Sequence, residues 1–218
     1  MMQEMAKTSI VDIVPDGVCC SEQVGTLYGN LFPDEARLLS PRTVNKRREE
    51  FAAGRTCARK ALGMLGVPSV PLLQGERREP LWPQGIIGSI THCNHYCAAT
   101  VARVENCRSI GIDAELNEPL APGLLSMIAR DREREWILQA MEPSICWDRL
   151  LFSMKESVYK TWYPLERCWL GFEDAEIEID VETQSFHATL LATTSVCPAV
   201  LHGAFGWTRS HLFTVVSV

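Results

Sequence analysis

Two acidic side chains alternate with apolar ones in the short segment Gly111-Ile112-Asp113-Ala114-Glu115. On a strand, Asp113 and Glu115 would point to one face, while Ile110, Ile112 and Ala114 would point into a core. Adjacent carboxylates repel each other unless a cation lies between them, so this pair is a candidate site for a hard metal ion. Mg²⁺ is usually held by one or two carboxylates together with substrate phosphates. Taken alone, the same pattern is more often ordinary polar surface.

A second motif, FSMKESVYK, covers residues 152–160 and has the apolar spacing of a helix. The apolar stripe of this helix consists of Leu151, Met154, Val158 and Trp162. Glu156 lies off the stripe, and Lys160 follows one turn later. One interpretation makes Glu156 a third carboxylate and Lys155 or Lys160 an anion contact. The other is a surface Glu–Lys pair at i,i+4, which contributes only about 0.2–0.5 kcal/mol.

Two further segments carry side chains that could bind phosphate. The motif Gly88-Ser89-Ile90-Thr91-His92 ends in a hydroxyl and an imidazole, both of which can bond a phosphate oxygen. A lone histidine at a strand end, however, is more often structural. The helix expected from Pro41 to Leu65 is basic along one stripe, which is either a solvated face or a dock for phosphate. Its cations are Lys46, Arg47, Arg48, Arg55 and Arg59.

The order of the expected elements repeats along the chain. After a loosely structured stretch over residues 1–39, each half has a long helix and several strands, with a change-over near Cys107. We therefore predict an α+β fold of two similar lobes, residues 1–106 and 107–218. The second helix is expected over Asp148–Trp162, with Pro164 ending it. Strands are expected at Ile86–His92, Ala98–Val104, Ser109–Glu115, Ile177–Val181, Phe186–Leu191, Leu201–Trp207 and Leu212–Val216.

Composition narrows the class of protein. The 218 residues are 46% hydrophobic and 22% charged, as in a globular domain, and the net charge of −6 disfavours binding to duplex nucleic acid. No apolar run is long enough to span a membrane, and Met1–Ile10 lacks the apolar core of a secretory signal. The nine cysteines form no CxxC pair, so we expect reduced thiols in the cytoplasm. The potential ligands between His92 and Cys97 are too crowded for a typical zinc site.

In this order and register, the motifs GSITH, GIDAE and FSMKESVYK resemble those of the Sfp/EntD-type 4′-phosphopantetheinyl transferases. The segments KRREEFAAGRTCARKAL, EPLWP and WYPLERCWLGFEDA are also similar to that family, in the bacterial subgroup with KES or KEA in the third motif. The resemblance implies a pseudo-dimer of two α+β lobes, with the active-site cleft between them. It also implies transfer of the phosphopantetheine arm of coenzyme A to a serine of an apo acyl or peptidyl carrier protein, releasing adenosine 3′,5′-bisphosphate. The expected metal is Mg²⁺ or Mn²⁺, and the expected state is a cytoplasmic monomer with no nucleic-acid or membrane partner.

The resemblance also implies roles for individual residues. Asp113, Glu115 and Glu156 match the metal-binding acids, and Glu156 matches the general base, although some relatives use a separate glutamate after the second motif. Lys155 matches a lysine that stabilises or protonates the leaving group, which makes Glu156, Lys155 and Asp113 the expected catalytic residues. The coenzyme A contacts match Arg47, Arg55, Thr91, His92, Lys155 and Lys160, with Arg47 and Arg48 left as alternatives.

One departure from the family pattern and two other functions remain open. Arg78-Glu79-Pro80 stands where the family often has Gly-Lys-Pro or Gly-Glu-Pro. Trp162 and Tyr163 are either core residues or a contact for the carrier. The alternative functions are a Mg²⁺-dependent nucleotide or pyrophosphate hydrolase using the same acids, and a non-catalytic module that binds coenzyme A.

Overall fold

A computed structural model describes residues 7–140 and 142–218 of the chain. Most of Met1–Ile10, for which we expected no secretory signal, therefore lies outside the described residues. Within them, the helices are all too short or too polar to cross a bilayer.

The first half of the chain forms a three-stranded antiparallel sheet in the order β1-β3-β2. Its strands are β1 (Cys19–Val24), β2 (Ile86–Cys93) and β3 (Tyr96–Arg103). Seven of the eight residues of β3 are buried, as expected for a central strand. After the short helix α1 (Pro33–Ala36), the long helix α2 (Asn45–Met64) packs on this sheet through small buried residues, namely Ala53, Cys57 and Ala61.

The second half forms a five-stranded antiparallel sheet in the order β4-β8-β7-β6-β5. Helices α3 (Leu124–Ile128) and α4 (Asp131–Gln139) precede α5 (Trp147–Glu166), which packs against β4 and β8. The predicted stripe of Leu151, Met154, Val158 and Trp162 lies in the core beneath α5. The strands are β4 (Ile110–Leu116), β5 (Ala175–Asp180), β6 (Ser185–Leu190), β7 (Val200–Trp207) and β8 (His211–Ser217).

The predicted α+β class is confirmed, with three local corrections. Strand β1 lies in the stretch that we expected to be loosely structured. Helix α2 begins at Asn45 rather than Pro41, because Ser40–Thr43 forms a turn closed by the Thr43 N–H on the Ser40 carbonyl. Helix α5 runs through Pro164 to Glu166, since the Arg167 N–H still bonds the Tyr163 carbonyl and closes the last turn. The last strand of the first sheet ends at Arg103, and the first strand of the second sheet begins at Ile110. The lobe boundary at 106/107 lies between them and remains a proposal.

The two sheets meet where β2 runs beside β4, although the two strands belong to different sheets. Side-chain hydroxyls make the hydrogen bonds across this seam. The Ile112 N–H donates to Ser89 Oγ at 3.1 Å, and the Ala114 N–H donates to Thr91 Oγ1 at 3.0 Å. Both hydroxyl residues are buried, so these amide groups have no water to bond instead.

We predict that Ser89→Ala lowers the free energy of unfolding by about 1–3 kcal/mol, because the buried Ile112 N–H loses its acceptor. Urea denaturation followed by tryptophan fluorescence measures the change. Ser126→Ala is the matched control, since Ser126 is exposed on the short helix α3 and bonds the nearby Gly123 carbonyl, so its loss should change stability by less than about 0.5 kcal/mol. Equal stabilities of Ser89→Ala and the control would contradict the role given to the seam.

Candidate active site

Asp113 lies on β4 at the seam, with its side chain 7% exposed. Its Oδ1 accepts hydrogen bonds from Thr91 Oγ1 at 3.2 Å and from Lys160 Nζ at 2.7 Å. Its Oδ2 is buried and has no hydrogen-bond partner among the residues that the structure describes. A carboxylate oxygen fixed in this way is available to a cation, because leaving it without any partner is costly. The predicted inward direction of Ile110, Ile112 and Ala114 is confirmed.

Helix α5 brings Glu156 and Lys160 to the same place as Asp113. This approach depends on Gly111, where an added Cβ would lie 2.1 Å from the Ser157 carbonyl oxygen of α5. Burial raises the pKa of Glu156; Lys160 acts against the rise, and the charge of Asp113 adds to it. Glu156 is therefore close enough to Asp113 for the two charges to interact.

Glu115, the second acid of β4, is held by Arg149 at the start of α5, with 3.0 Å between Nη1 and Oε2. Burial raises the pKa of Glu115, the charge of Asp113 raises it further, and Arg149 opposes the rise. Asp113 is thus the acid with which both glutamates interact.

The three acids fit a hard cation in their chemistry, although they are not closed around one. Nowhere in the described part of the chain do three His, Cys, Asp or Glu groups lie close enough to hold a metal ion. Asp113 Oδ2 nevertheless has no partner within residues 7–140 and 142–218, and the pKa values of Glu115 and Glu156 are raised. Both features are expected where a bound cation would stabilise the carboxylates. Oxygen ligands of this kind suit Mg²⁺.

Lys155 does not join this group, which corrects its expected place at the leaving group. Its ammonium is 1% exposed and lies 2.8 Å from Glu133 Oε2, and it also donates to the carbonyls of Phe172 and Ala175. Burial lowers the pKa of Lys155, while Glu133 acts against that change. Lys155 thus ties α5 to α4 and to the start of β5, and all its donors have protein partners.

Thr91 is also corrected, from a phosphate contact to a positioning residue. It is 3% exposed, and its hydroxyl donates to Asp113 and accepts from the Ala114 N–H. It therefore orients the acid rather than facing a ligand.

His92, the next residue, lies beside the basic start of α2. Its Nε2 is 2.6 Å from Arg47 Nη1, and its Nδ1 is 3.6 Å from Glu50 Oε2. Because the guanidinium can only donate, Nε2 is the acceptor and Nδ1 carries the proton. Arg48 points instead to the Ser40 carbonyl, so the structure places Arg47 rather than Arg48 with the histidine. Burial lowers the pKa of His92, and its other influences include Lys160 and Asp113, which links this basic group to the acids.

Arg55 is buried in the first half of the chain. Its Nε donates to the Leu72 carbonyl, and its guanidinium lies 4.4 Å from the Phe51 ring centroid. Its Nη2 is buried and has no hydrogen-bond partner in the described residues. Burial lowers the pKa of Arg55 to about 10, and Arg47 is near enough to contribute to the same shift. Arg47 and His92 are in direct contact, and Arg55 is a separate, buried cation on the same helix as Arg47.

A cavity of about 490 Å³ opens beside Glu156 and Lys160, between β2 and α5. Trp82 forms part of one wall and Tyr163 part of the opposite one, whereas Trp162 is a core residue. Sequence analysis assigned no role to four of the lining residues. Tyr159 lies inside the third motif, and the other three lie outside the motifs, namely Arg77, Arg108 and Arg167. The only signal in the sequence was the unusual Arg78-Glu79-Pro80 segment.

Comparisons with known proteins agree with this arrangement. A family model for the N-terminal domain of 4′-phosphopantetheinyl transferases matches residues 34–102, and one for the 4′-phosphopantetheinyl transferase superfamily matches residues 109–216. The chain is 43% identical over 172 residues to the 4′-phosphopantetheinyl transferase PptT of Mycobacterium tuberculosis, a stretch covering 79% of this chain and 75% of that protein. The chain belongs to the 4′-phosphopantetheinyl transferase family.

Two further relatives match this chain over shorter stretches. The 4′-phosphopantetheinyl transferase Svp of Streptomyces mobaraensis is 52% identical over 163 residues, which cover 74% of this chain and 66% of Svp. Enterobactin synthase component D of Salmonella typhimurium is 38% identical over 135 residues, which cover 61% of this chain and 55% of that protein.

We predict that Lys155→Ala lowers the free energy of unfolding by about 3–5 kcal/mol, because it leaves the buried Glu133 carboxylate without its counter-charge. Chemical denaturation measures the loss. Lys160→Ala removes a partly exposed lysine from the same helix and should cost less. If Lys155→Ala were as stable as the native chain, Lys155 would not have the structural role assigned here.

The raised pKa of Glu156 leads to a pH-dependent prediction for Glu156→Gln. Between the ordinary value of 4.5 and its raised value, the folded chain binds this proton more tightly than the unfolded chain does, so stability falls as pH rises through that window. Glutamine removes this effect. The variant should therefore match the native chain below pH 4.5 and be more stable above the raised pKa, as urea denaturation at pH 4 and pH 8 would show. A pH-independent difference would contradict the assigned shift.

Proposed function

We propose that this chain transfers the 4′-phosphopantetheine arm of coenzyme A to a serine of an apo acyl or peptidyl carrier protein, in a reaction that depends on Mg²⁺. The observation that supports it most is the Asp113–Glu156–Lys160 group, because Glu156 and Lys160 also line a cavity whose charged residues are mostly cationic. A buried acid with an unpartnered oxygen, a glutamate that holds its proton more readily than usual and a lysine suit phosphoryl transfer better than simple binding.

In the proposed reaction, Glu156 accepts the proton of the carrier serine hydroxyl. The serine oxygen then forms a bond to the phosphorus next to the pantetheine arm, and the bond from that phosphorus to the other bridging oxygen breaks. Adenosine 3′,5′-bisphosphate leaves with the electron pair. A general base whose pKa lies nearer neutrality is better matched to this task, and such a base contributes about 10²–10⁴ in rate.

The other residues bind and orient. Lys160, 27% exposed at its side chain, keeps Asp113 in place and brings a positive charge to the pyrophosphate. Arg47, Arg55 and His92 are the proposed contacts of the remaining phosphate, where guanidinium groups suit bidentate contact. Bound to Asp113, Glu115 and Glu156, Mg²⁺ would neutralise the pyrophosphate and stabilise charge on the leaving group.

The acceptor is proposed to be a carrier protein of fatty-acid, polyketide or peptide biosynthesis. The Salmonella relative is named as a component of an enterobactin synthase. We also propose that the protein works as a monomer in the cytoplasm, a location that suits its nine free cysteines.

Intact-mass measurement of an apo carrier, incubated with the protein, coenzyme A and Mg²⁺, tests the reaction. We expect a gain of one phosphopantetheine arm that disappears when a chelator is added. An unchanged carrier together with breakdown of coenzyme A would instead indicate the hydrolase, and binding without turnover would indicate the non-catalytic module.

We predict that Glu156→Gln reduces transfer by at least about 10²-fold while coenzyme A binding remains measurable, because the amide cannot accept the serine proton. Glu135→Gln on the exposed side of α4 is the control and should leave the rate unchanged. Near-normal turnover of Glu156→Gln would remove this residue from the base role.

A further inference from the structure

An ion pair bridges the two sides of the cavity at its mouth. Arg167, immediately after α5, lies 3.4 Å from Glu79 in the loop before β2, measured from Nη1 to Oε1. Both residues line the cavity. The Arg167 side chain is 63% exposed, and an ion pair this exposed contributes little to stability. The pair can therefore open at low cost.

Arg167 occupies a backbone position that usually belongs to glycine. Its φ is 56°, in the left-handed region, where it caps α5 by donating its N–H to the Tyr163 carbonyl. Its guanidinium lies 5.8 Å from the Tyr163 ring centroid, which keeps it against the cavity wall. A side chain kept at such a position points to a use for the side chain itself.

The surrounding charges indicate what that use is. The chain has a net charge of −6, yet five cationic side chains line this cavity against two acidic ones. Two of the cations already have partners within the second half of the chain, since Lys160 is paired with Asp113 and Arg108 donates to the Val196 carbonyl. The only acidic partner of Arg167 among the described residues is Glu79, which also accepts the Arg77 N–H within its own loop.

We propose that Arg167 binds a phosphate group of the nucleotide cosubstrate, and that Glu79 competes with this phosphate for the guanidinium. The Glu79–Arg167 pair is then the ligand-free form of the cavity mouth, and the phosphate replaces Glu79 when the cosubstrate enters. A guanidinium binds phosphate through two parallel charge-assisted hydrogen bonds, which outweigh one exposed ion pair. This inference rests on the proposed function, because it takes coenzyme A as the cosubstrate.

Competition predicts opposite changes in the Kd for coenzyme A when Arg167 and Glu79 are replaced. A purely structural ion pair would give changes in the same direction. In calorimetric titrations of the full chain with coenzyme A, Arg167→Gln should raise Kd roughly tenfold, as for the loss of a hydrogen bond to a charged group. Glu79→Gln should lower Kd several-fold, because it removes the competitor while its side-chain oxygen can still accept the Arg77 N–H. The double variant should bind like Arg167→Gln.

Two further variants separate ligand binding from folding. Arg132→Gln is the matched control, since Arg132 is also exposed and also lies near a glutamate, Glu176 at 3.6 Å, but is outside this cavity; its Kd should be unchanged. Arg167→Gly relieves the left-handed backbone and should raise Tm while weakening binding as Arg167→Gln does.

Dephospho-coenzyme A identifies which phosphate is bound. If Arg167→Gln loses its effect with this ligand, the 3′-phosphate is the partner; if the effect persists, the partner is the pyrophosphate. Weaker binding in Glu79→Gln, or an unchanged Kd in Arg167→Gln while the native chain binds coenzyme A and modifies a carrier, overturns the inference alone. A native chain that does not bind coenzyme A overturns both this inference and the proposed function.

Discussion

The contact between β2 and β4 is the constraint on which the rest of the molecule depends. Each strand lies at the edge of its own sheet, and the buried N–H groups of Ile112 and Ala114 need acceptors there. Ser89 and Thr91 supply them from side chains. Because the Thr91 hydroxyl also donates to Asp113, the same group that joins the two sheets orients the central acid. The contact that joins the two sheets therefore also positions the central acid of the site.

The charges around α5 are divided between two sides of the helix. On one side, Lys155 and Glu133 form a pair that is almost fully buried and fully hydrogen-bonded, which fixes the helix against its neighbours. On the other side, Glu156 carries a raised pKa, and Asp113 keeps one oxygen without a partner. The satisfied pair stabilises the helix, and the incompletely satisfied acids next to it are left for chemistry.

Periodicity and motif spacing predicted the parts that depend on local pattern. The alternation in GIDAE correctly placed Ile112 in the core and Asp113 on the opposite face, and the apolar stripe of α5 is confirmed. Lys155 and Glu156 are adjacent, but successive helix positions differ by roughly 100°, so only one of them can face the cleft. Which one does so depends on Glu133, whose position follows from tertiary packing. Strand β1 was not predicted for a similar reason. Its sequence, CCSEQV, is half polar, and it forms a strand by pairing with β3.

Gly111 gives the active site a fixed width. An added Cβ there would meet the backbone of α5 at 2.1 Å, and backbone atoms cannot turn aside as a flexible side chain can. The gap between the strand that carries Asp113 and the helix that carries Glu156 is thus set by a missing methyl group. A side chain at position 111 would therefore displace α5 as a whole, and with it Glu156 and Lys160 together, whereas a change of one charged residue at the cleft alters that residue alone.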